Sequence, residues 1–254
     1  MSNPRDLLPL LYATDATNGW SRGMRAISHT LLAQVPLVGP TLEVGCGAGY
    51  FLREHSNLRQ RGLVVGTDQN AVALAYAQTT DAGTHSPFIT WARCDLQRLP
   101  FADNTFALIV GFDVYDQVGV QLEQALVESR RVLQPSGWLL LRVSAHKWLE
   151  STHDLAFHTA SRYNRRAITQ TLRAAGFAPQ RVTHANTLLA LPVVVQRLAQ
   201  RWELLAYDPS VYTSSFYNWV MEGVLQLEAR YLAAHNLPFG ISLYVLARKD
   251  VGNQ

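Results

Sequence analysis

Leu42-Glu43-Val44-Gly45-Cys46-Gly47-Ala48-Gly49-Tyr50 joins a short β-type run to a turn with glycine at every second position. A glycine-rich passage from strand into helix lets the backbone approach a ligand closely and exposes N–H groups at the helix start. A dinucleotide-binding turn would place a third glycine three residues after Gly47, where Tyr50 stands. A Walker A phosphate loop is excluded because no Gly-Lys-Ser/Thr follows. What remains is Glu-x-Gly-x-Gly-x-Gly. An acid just before the glycines is hostile to an anion and suits a ligand carrying an ammonium group and a sulfonium.

Outward from this turn, short β-type runs alternate with helical patterns, the signature of a parallel sheet covered by helices. Thr41–Val44, Leu63–Thr67, Ile89–Arg93, Ala107–Phe112 and Gly137–Val143 read as strands, followed later by Phe177–Ala185 and Ile241–Ala247. Ala71–Thr79, Gln121–Leu133 and Arg165–Ala175 read as helices, the last closed by Gly176. Before the first strand, Trp20–Val35 has an amphipathic helical pattern. Leu188–His235, rich in aromatic residues, is too long for a plain loop and is expected to be a helical insert between the last two strands. The expected organisation is a single domain over 1–254: a cap helix in 1–36, a ligand-binding core in 37–187, a helical insert or lid in 188–236, and the last strand and tail in 237–254.

The chain has 254 residues, 48% hydrophobic and 16% charged, enough apolar surface for a sizeable core and too much for a disordered chain. The longest wholly apolar run, Leu188–Val195, falls far short of the ~20 residues that span a bilayer. No basic segment followed by an apolar one opens the chain, and two cysteines are too few for a disulfide framework or a thiolate zinc site. The cytosol is the expected location. The net charge of +3 comes from scattered arginines interspersed with acids, without the clustered stripe of a nucleic-acid binder.

The glycine turn resembles motif I of the class I S-adenosylmethionine-dependent methyltransferases, and further motifs follow in order. Val65-Gly66-Thr67-Asp68 ends the second strand with an acid, a place that in the family commonly takes the ribose hydroxyls, with Gln69 beside it. Asp95-Leu96-Gln97-Arg98-Leu99-Pro100-Phe101 is similar to the family's Asp-x-x-x-Leu-Pro-Phe segment, where the Asp meets the adenine amino group and the next residue its ring. Asp103-Asn104-Thr105-Phe106 resembles the lead-in to the fourth strand. Arg131-Val132-Leu133-Gln134-Pro135-Ser136-Gly137 resembles the turn before strand five, with Ser136 in a glycine's place. The resemblance implies a seven-stranded, mostly parallel Rossmann-like α/β sandwich whose last strand inserts antiparallel.

It also implies S-adenosylmethionine as cofactor, held by Glu43, Gly45, Cys46, Gly47, Gly49, Asp68, Gln69, Asp95 and Leu96. Cys46 also reads as a small side chain packed beside the loop. Tyr12 and Trp20 resemble an entry segment that covers the cofactor, although core packing serves Trp20 equally well. After strand four, Phe112, Asp113 and Tyr115 are expected to border the methionine moiety and the methyl donor, with Tyr115 a candidate catalytic residue and core packing serving Phe112 equally well. Many relatives carry Glu-His where this chain has Asp116-Gln117, which argues against a metal borrowed from that subgroup.

Trp148-Leu-Glu-Ser151-Thr-His153-Asp154, then His158 and Arg162-Tyr163, resembles one sub-branch of the family. If this segment is helical, Asp154, His158 and Arg162 share one face. His153 lies off that face and is freer to point into the pocket; it or His158 is the expected general base. The bland alternative is a salt-bridged helix face that fixes a lid. The implied activity is methyl transfer to a small or medium-sized apolar or aromatic acceptor, lipid-linked ones included. A non-catalytic S-adenosylmethionine-binding subunit, or the same fold turned to a cyclisation, stands as the alternative.

Overall fold

The computed structural model describes residues 8–36, 39–54, 62–84, 89–201 and 214–251. Seven strands form one sheet: β1 Thr41–Val44, β2 Val64–Asp68, β3 Ile89–Arg93, β4 Phe106–Phe112, β5 Leu133–Ser144, β6 Phe177–Ala185 and β7 Ser242–Lys249. Their spatial order is β3-β2-β1-β4-β5-β7-β6. The first five are parallel to one another, and β7 lies antiparallel between β5 and β6. This is the sheet expected from the sequence. The fifth strand begins earlier than expected: pairing starts at Phe106–Leu133 and the register shifts before Leu108–Trp138, with Ser136 at a positive φ of 61°. The turn predicted at 135–137 is therefore an irregularity within the strand.

Helices cover both faces: α1 Leu8–Thr14, α2 Gly19–Leu32, α3 Tyr50–Glu54, α4 Ala71–Thr84, α5 Leu122–Val132, α6 Thr152–Ala156, α7 Arg165–Ala174, α8 Ala190–Arg201 and α9 Ser215–Leu232. The alternation of strand side chains sorts the core into two layers. Ile109, Leu139, Leu141 and Val245 pack beneath α5 and α7, whereas Leu108, Val110, Leu140 and Tyr244 pack beneath α2, α3 and α9. Asn18 caps α2 by accepting a hydrogen bond from the Ser21 N–H at 3.0 Å, and Asn164 caps α7 through the Ala167 N–H at 2.8 Å.

The C-terminal half of the insert is a structural layer. Helix α9 lies along α2 so closely that a Cβ on Gly19 would sit 1.9 Å from the Asn218 carbonyl oxygen, and one on Gly23 would sit 2.4 Å from the Leu225 Cβ. Only hydrogen fits at these two crossings. The Asn218 side chain accepts the Gly19 N–H at 2.8 Å, and Arg22 pairs with Glu222 at 3.0 Å. Buried Glu228 on α9 accepts the N–H groups of Asn186 (2.5 Å), Thr187 (2.9 Å) and Leu188 (3.2 Å), fixing the chain where it turns into α8. The N-terminal helix, the end of β6 and the insert are thus tied into one wall at the carboxyl end of the sheet.

Candidate active site

Open parallel sheets leave a crevice at the carboxyl ends of their strands. Here a cavity of about 590 Å³ runs from the β1 turn, past the ends of β2, β3 and β4, to the segments from α6, α8 and α9 that roof it. Gly45, Gly47 and Gly49 all have positive φ, at 66°, 54° and 75°. Gly45 is held against Val114 and Gly49 against the Trp91 ring, where a Cβ would come to 2.6 Å and 2.4 Å. Gly47 faces the cavity; the Tyr12 ring, 3.5 Å from a Cβ there, is its near neighbour. Two glycines therefore shape the loop and the third leaves its backbone open to a ligand. Gly49 itself does not line the cavity.

Asp68 ends β2 and braces this loop. One carboxylate oxygen accepts the Gly47 N–H at 2.9 Å and the other accepts the Asn70 N–H at 2.8 Å. Burial raises its pKa even against these amides, so a ligand hydroxyl would find a strong acceptor here. Asp95 is held by the Gln97 N–H at 2.8 Å, and Leu96 and Gln69 line the same end of the cavity. Glu43 is the most exceptional group in the site. It is 3% exposed, lines the cavity, and its Oε2 has no hydrogen-bond partner. Burial drives its pKa well above the usual carboxylate range; Asp15 and Asp68 add to this, while Arg25 and Arg53 oppose it. Both arginines are engaged elsewhere, Arg25 by Asp15 and Glu54, Arg53 by the Ala48 and Ala77 carbonyls. A buried carboxylate with an oxygen left without a hydrogen-bond partner, beside an open glycine turn, fits a cationic head group.

Cys46 is buried beside the loop, and burial with nearby Glu43 and Asp68 pushes its thiol pKa well up. A thiol held protonated is a packing group and not a nucleophile. Trp20, Phe112 and Asp113 meet at the far half of the cavity, around a residue the sequence reading passed over. Arg142, at the end of β5, is bidentate to Asp113, donates to the Tyr244 hydroxyl at 3.1 Å and lies 5.2 Å from the Trp20 ring centroid. Burial opposes its charge, and Asp113 with the Tyr244 hydroxyl more than offsets that cost. Its signal in the sequence is a lone charge inside the apolar run Leu139-Leu140-Leu141-Arg142-Val143.

Tyr115 does not belong to the site. Asp113 adopts a positive φ of 53° and turns the chain back, so Tyr115 is 0% exposed in the core with its hydroxyl 2.9 Å from Ser129 Oγ. Asp116 is also buried. Its Oδ2 accepts the Ser144 N–H at 2.6 Å, and burial, with Asp113 adding, raises its pKa to about 7.

A helix running from Asp154 to Arg162, the condition for those residues to share a face, is not formed. Helix α6 stops at Ala156, and His158 has a positive φ of 57°. Asp154 and Arg162 nevertheless meet as a buried bidentate pair at 2.5 and 2.8 Å, with Arg162 also donating to the Ala145 carbonyl at 2.9 Å. Arg162 thus takes the carboxylate that helical spacing would have given to His158. His158 lines the cavity, placed there because its own carbonyl accepts the Val118 N–H at 2.8 Å. The side chain of His153 lies outside the described residues. Among the described residues no group of three or more His, Cys, Asp or Glu is placed to hold a metal ion.

The sheet order and the glycine turn beneath a carboxylate-lined crevice define the class I methyltransferase fold. Residues 42–141 match the family described as a methyltransferase domain. No curated protein matches the chain. Among solved structures it is similar to a chain of the complex between the Haloferax volcanii Trm112 methyltransferase activator and a methyltransferase, at 17% identity and TM-score 0.63, covering 97% of this chain and 99% of that one. It is similar to Haemonchus contortus phosphoethanolamine N-methyltransferase 2 bound to S-adenosyl-L-methionine, at 18% identity and TM-score 0.64, covering 98% of this chain and 60% of that one. It is also similar to the [4+2]-cyclase SpnF, at 19% identity and TM-score 0.62, covering 92% and 83%. No helix among the described residues is long and apolar enough to cross a membrane.

Proposed function

We propose that this chain transfers the methyl group of S-adenosylmethionine to a small or medium-sized, apolar or aromatic acceptor held between the end of β5 and the roof. The observation that carries this reading is the single cavity with two chemically different halves. At the sheet end stand Glu43, Asp68 and Asp95, suited to an ammonium group, ribose hydroxyls and an adenine amino group. At the roof end stand Trp20, Phe112, Phe157, Val193, Tyr217 and Met221. Each arginine lining the described cavity is already paired, Arg25 with Asp15 and Glu54, Arg142 with Asp113 and Arg162 with Asp154. None is left to receive an anionic acceptor, which favours an uncharged one.

When bound, S-adenosylmethionine supplies a methyl group already activated by its sulfonium. The protein's part is orientation and exclusion of water. In this reading Glu43 holds the amino group, Asp68 the ribose and Asp95 with Leu96 the adenine, while Tyr12 and Trp20 close over the cofactor. His158 accepts a proton if the acceptor has one to lose. No metal is assigned a role. Both cysteines are free, in keeping with a reducing cytosolic setting.

The likeness to the [4+2]-cyclase SpnF supports a second reading, a cyclisation on the same fold. Incubation with methyl-labelled S-adenosylmethionine and an organic extract of the source cells separates the two. Labelled product together with S-adenosylhomocysteine is expected; unchanged cofactor in every fraction would overturn methyl transfer.

A further inference from the structure

Beyond the end of β4 the cavity reaches three uncharged polar residues, Ser144, Ser242 and Asn186. Ser144 ends β5, Ala185 ends β6 and Ser242 opens β7, where it is the register partner of both. Ala185 faces the same core layer as Tyr244, so strict alternation along β6 would turn residue 186 away from Ser242. Asn186 instead takes a left-handed φ of 61°, which Asn tolerates, and its Nδ2 donates to Ser242 Oγ at 3.3 Å. Buried Glu228 fixes that turn by accepting the Asn186 N–H at 2.5 Å. Gly240 lets the lead-in to β7 close against it: a Cβ there would sit 2.3 Å from the Ala185 carbonyl oxygen. The backbone thus holds the carboxamide in place. Yet Asn186 is 1% exposed and its Oδ1 has no hydrogen-bond partner. An amide oxygen shut away from water without a donor is a cost that folding alone does not explain.

We propose that Asn186, with Ser242 and Ser144, is the subsite that recognises a neutral hydroxyl group on the acceptor. Asn186 Oδ1 accepts the hydroxyl's hydrogen bond, and a serine hydroxyl donates to its oxygen. That the ligand is a methyl acceptor rests on the methyl-transfer reading; the recognition of a hydroxyl does not. The charged groups that touch this row are engaged: Asp116, which does not line the cavity, takes the Ser144 N–H at 2.6 Å, and Arg162, bonded to the Ala145 carbonyl, is paired with Asp154. An ion would meet charges already paired, and an alkyl group would leave Oδ1 without a donor. A hydroxyl both donates to Oδ1 and accepts from a serine. Neighbouring strands stand about 4.8 Å apart, so the step from β4 across β5 to β7 puts Ser242 and Asn186 about 10 Å from the Phe112 end of β4. In the methyl-transfer reading the methyl group is presented at that end. The hydroxyl held here therefore orients the acceptor and is not the atom methylated.

The test is fluorescence titration of the full chain, in the presence of S-adenosylhomocysteine, with two probes of the same shape, 2-naphthol and 2-methylnaphthalene. Asn186→Gly keeps the left-handed turn and removes the carboxamide. It should weaken 2-naphthol binding by about five- to tenfold, the value of one neutral hydrogen bond, and leave 2-methylnaphthalene unchanged. Ser242→Ala, which leaves the Asn186 turn in place, should weaken 2-naphthol alone by about threefold or more, and carries the test if Asn186→Gly does not fold. A purely structural role would move both probes together. Equal losses for the two probes, no loss for 2-naphthol, or no binding of 2-naphthol to the wild type overturns the proposal. Calorimetry with S-adenosylhomocysteine on the same samples keeps the two readings apart: hydroxyl-selective binding with no cofactor binding would defeat the proposed function alone.

Discussion

Glu43→Gln separates binding from folding because the two should move in opposite directions. The side chain is 3% exposed, its Oε2 has no hydrogen-bond partner, and the nearby Arg25 and Arg53 guanidiniums are hydrogen-bonded to other groups. In the free protein an ionised carboxylate at this place is therefore a cost, which burial expresses as a strongly raised pKa. With the cofactor's ammonium group against it, the same carboxylate forms a charge-assisted hydrogen bond worth about 1.5–3 kcal/mol. Glutamine keeps the shape and removes the charge, so S-adenosylmethionine affinity should fall by about 10- to 150-fold. Thermal stability of the free protein should be unchanged or higher, since an uncompensated buried acid has been replaced by a neutral amide. The pH dependence follows from the same shift. The cation favours the ionised form, so the pKa of Glu43 drops on binding, a proton is released, and wild-type affinity rises as pH climbs through its raised pKa. The variant should lose that dependence. Isothermal titration calorimetry in buffers of different ionisation enthalpy reads both affinity and proton release. Equal affinity and equal proton release in wild type and variant would refute the reasoning.

Asp68→Ala removes the acceptor for the ribose and the brace on the Gly47 N–H, and calorimetry should show cofactor affinity weakened by about 1–3 kcal/mol. Tyr115→Phe should cost roughly 0.5–1.5 kcal/mol in denaturant unfolding and leave turnover intact, because its hydroxyl meets Ser129 in the core and not the cavity. Arg162→Ala leaves Asp154 as a buried unpaired acid and should destabilise by about 3–5 kcal/mol, seen as a lowered denaturation midpoint. His158→Ala, once an acceptor is in hand, should lower turnover by about 10²–10⁴ with cofactor affinity nearly unchanged if His158 is the base; full turnover would leave the roof acting by positioning alone.

The sheet-end half of the cavity was legible because its determinants are local. Glycines at alternate positions, an acid before them and acids at the next two strand ends can be read residue by residue, and the sheet order follows from the alternation around them. The roof was not legible in the same way. A helical spacing put Asp154, His158 and Arg162 on one face, yet the chain leaves the helix at Ala156 and Arg162 reaches Asp154 from an extended segment. Tyr115 was misplaced for a similar reason: the left-handed Asp113 reverses the chain after Phe112, and no local pattern announces that turn. Gly19 and Gly23 carry no local signal of their role, which depends on Asn218 and Leu225, some 200 residues away in the chain.

The central claim is that one cavity holds the cofactor by Glu43, the Gly45–Gly49 turn, Asp68 and Asp95 and presents its methyl group toward the roof. A crystal structure grown with S-adenosylhomocysteine tests it most directly. The account predicts the amino group on Glu43, the ribose hydroxyls on Asp68, the adenine beside Asp95 and Leu96, and the sulfur facing Trp20, Phe112 and His158. A ligand seated elsewhere, or one whose amino group leaves the Glu43 carboxylate unpartnered, would contradict it.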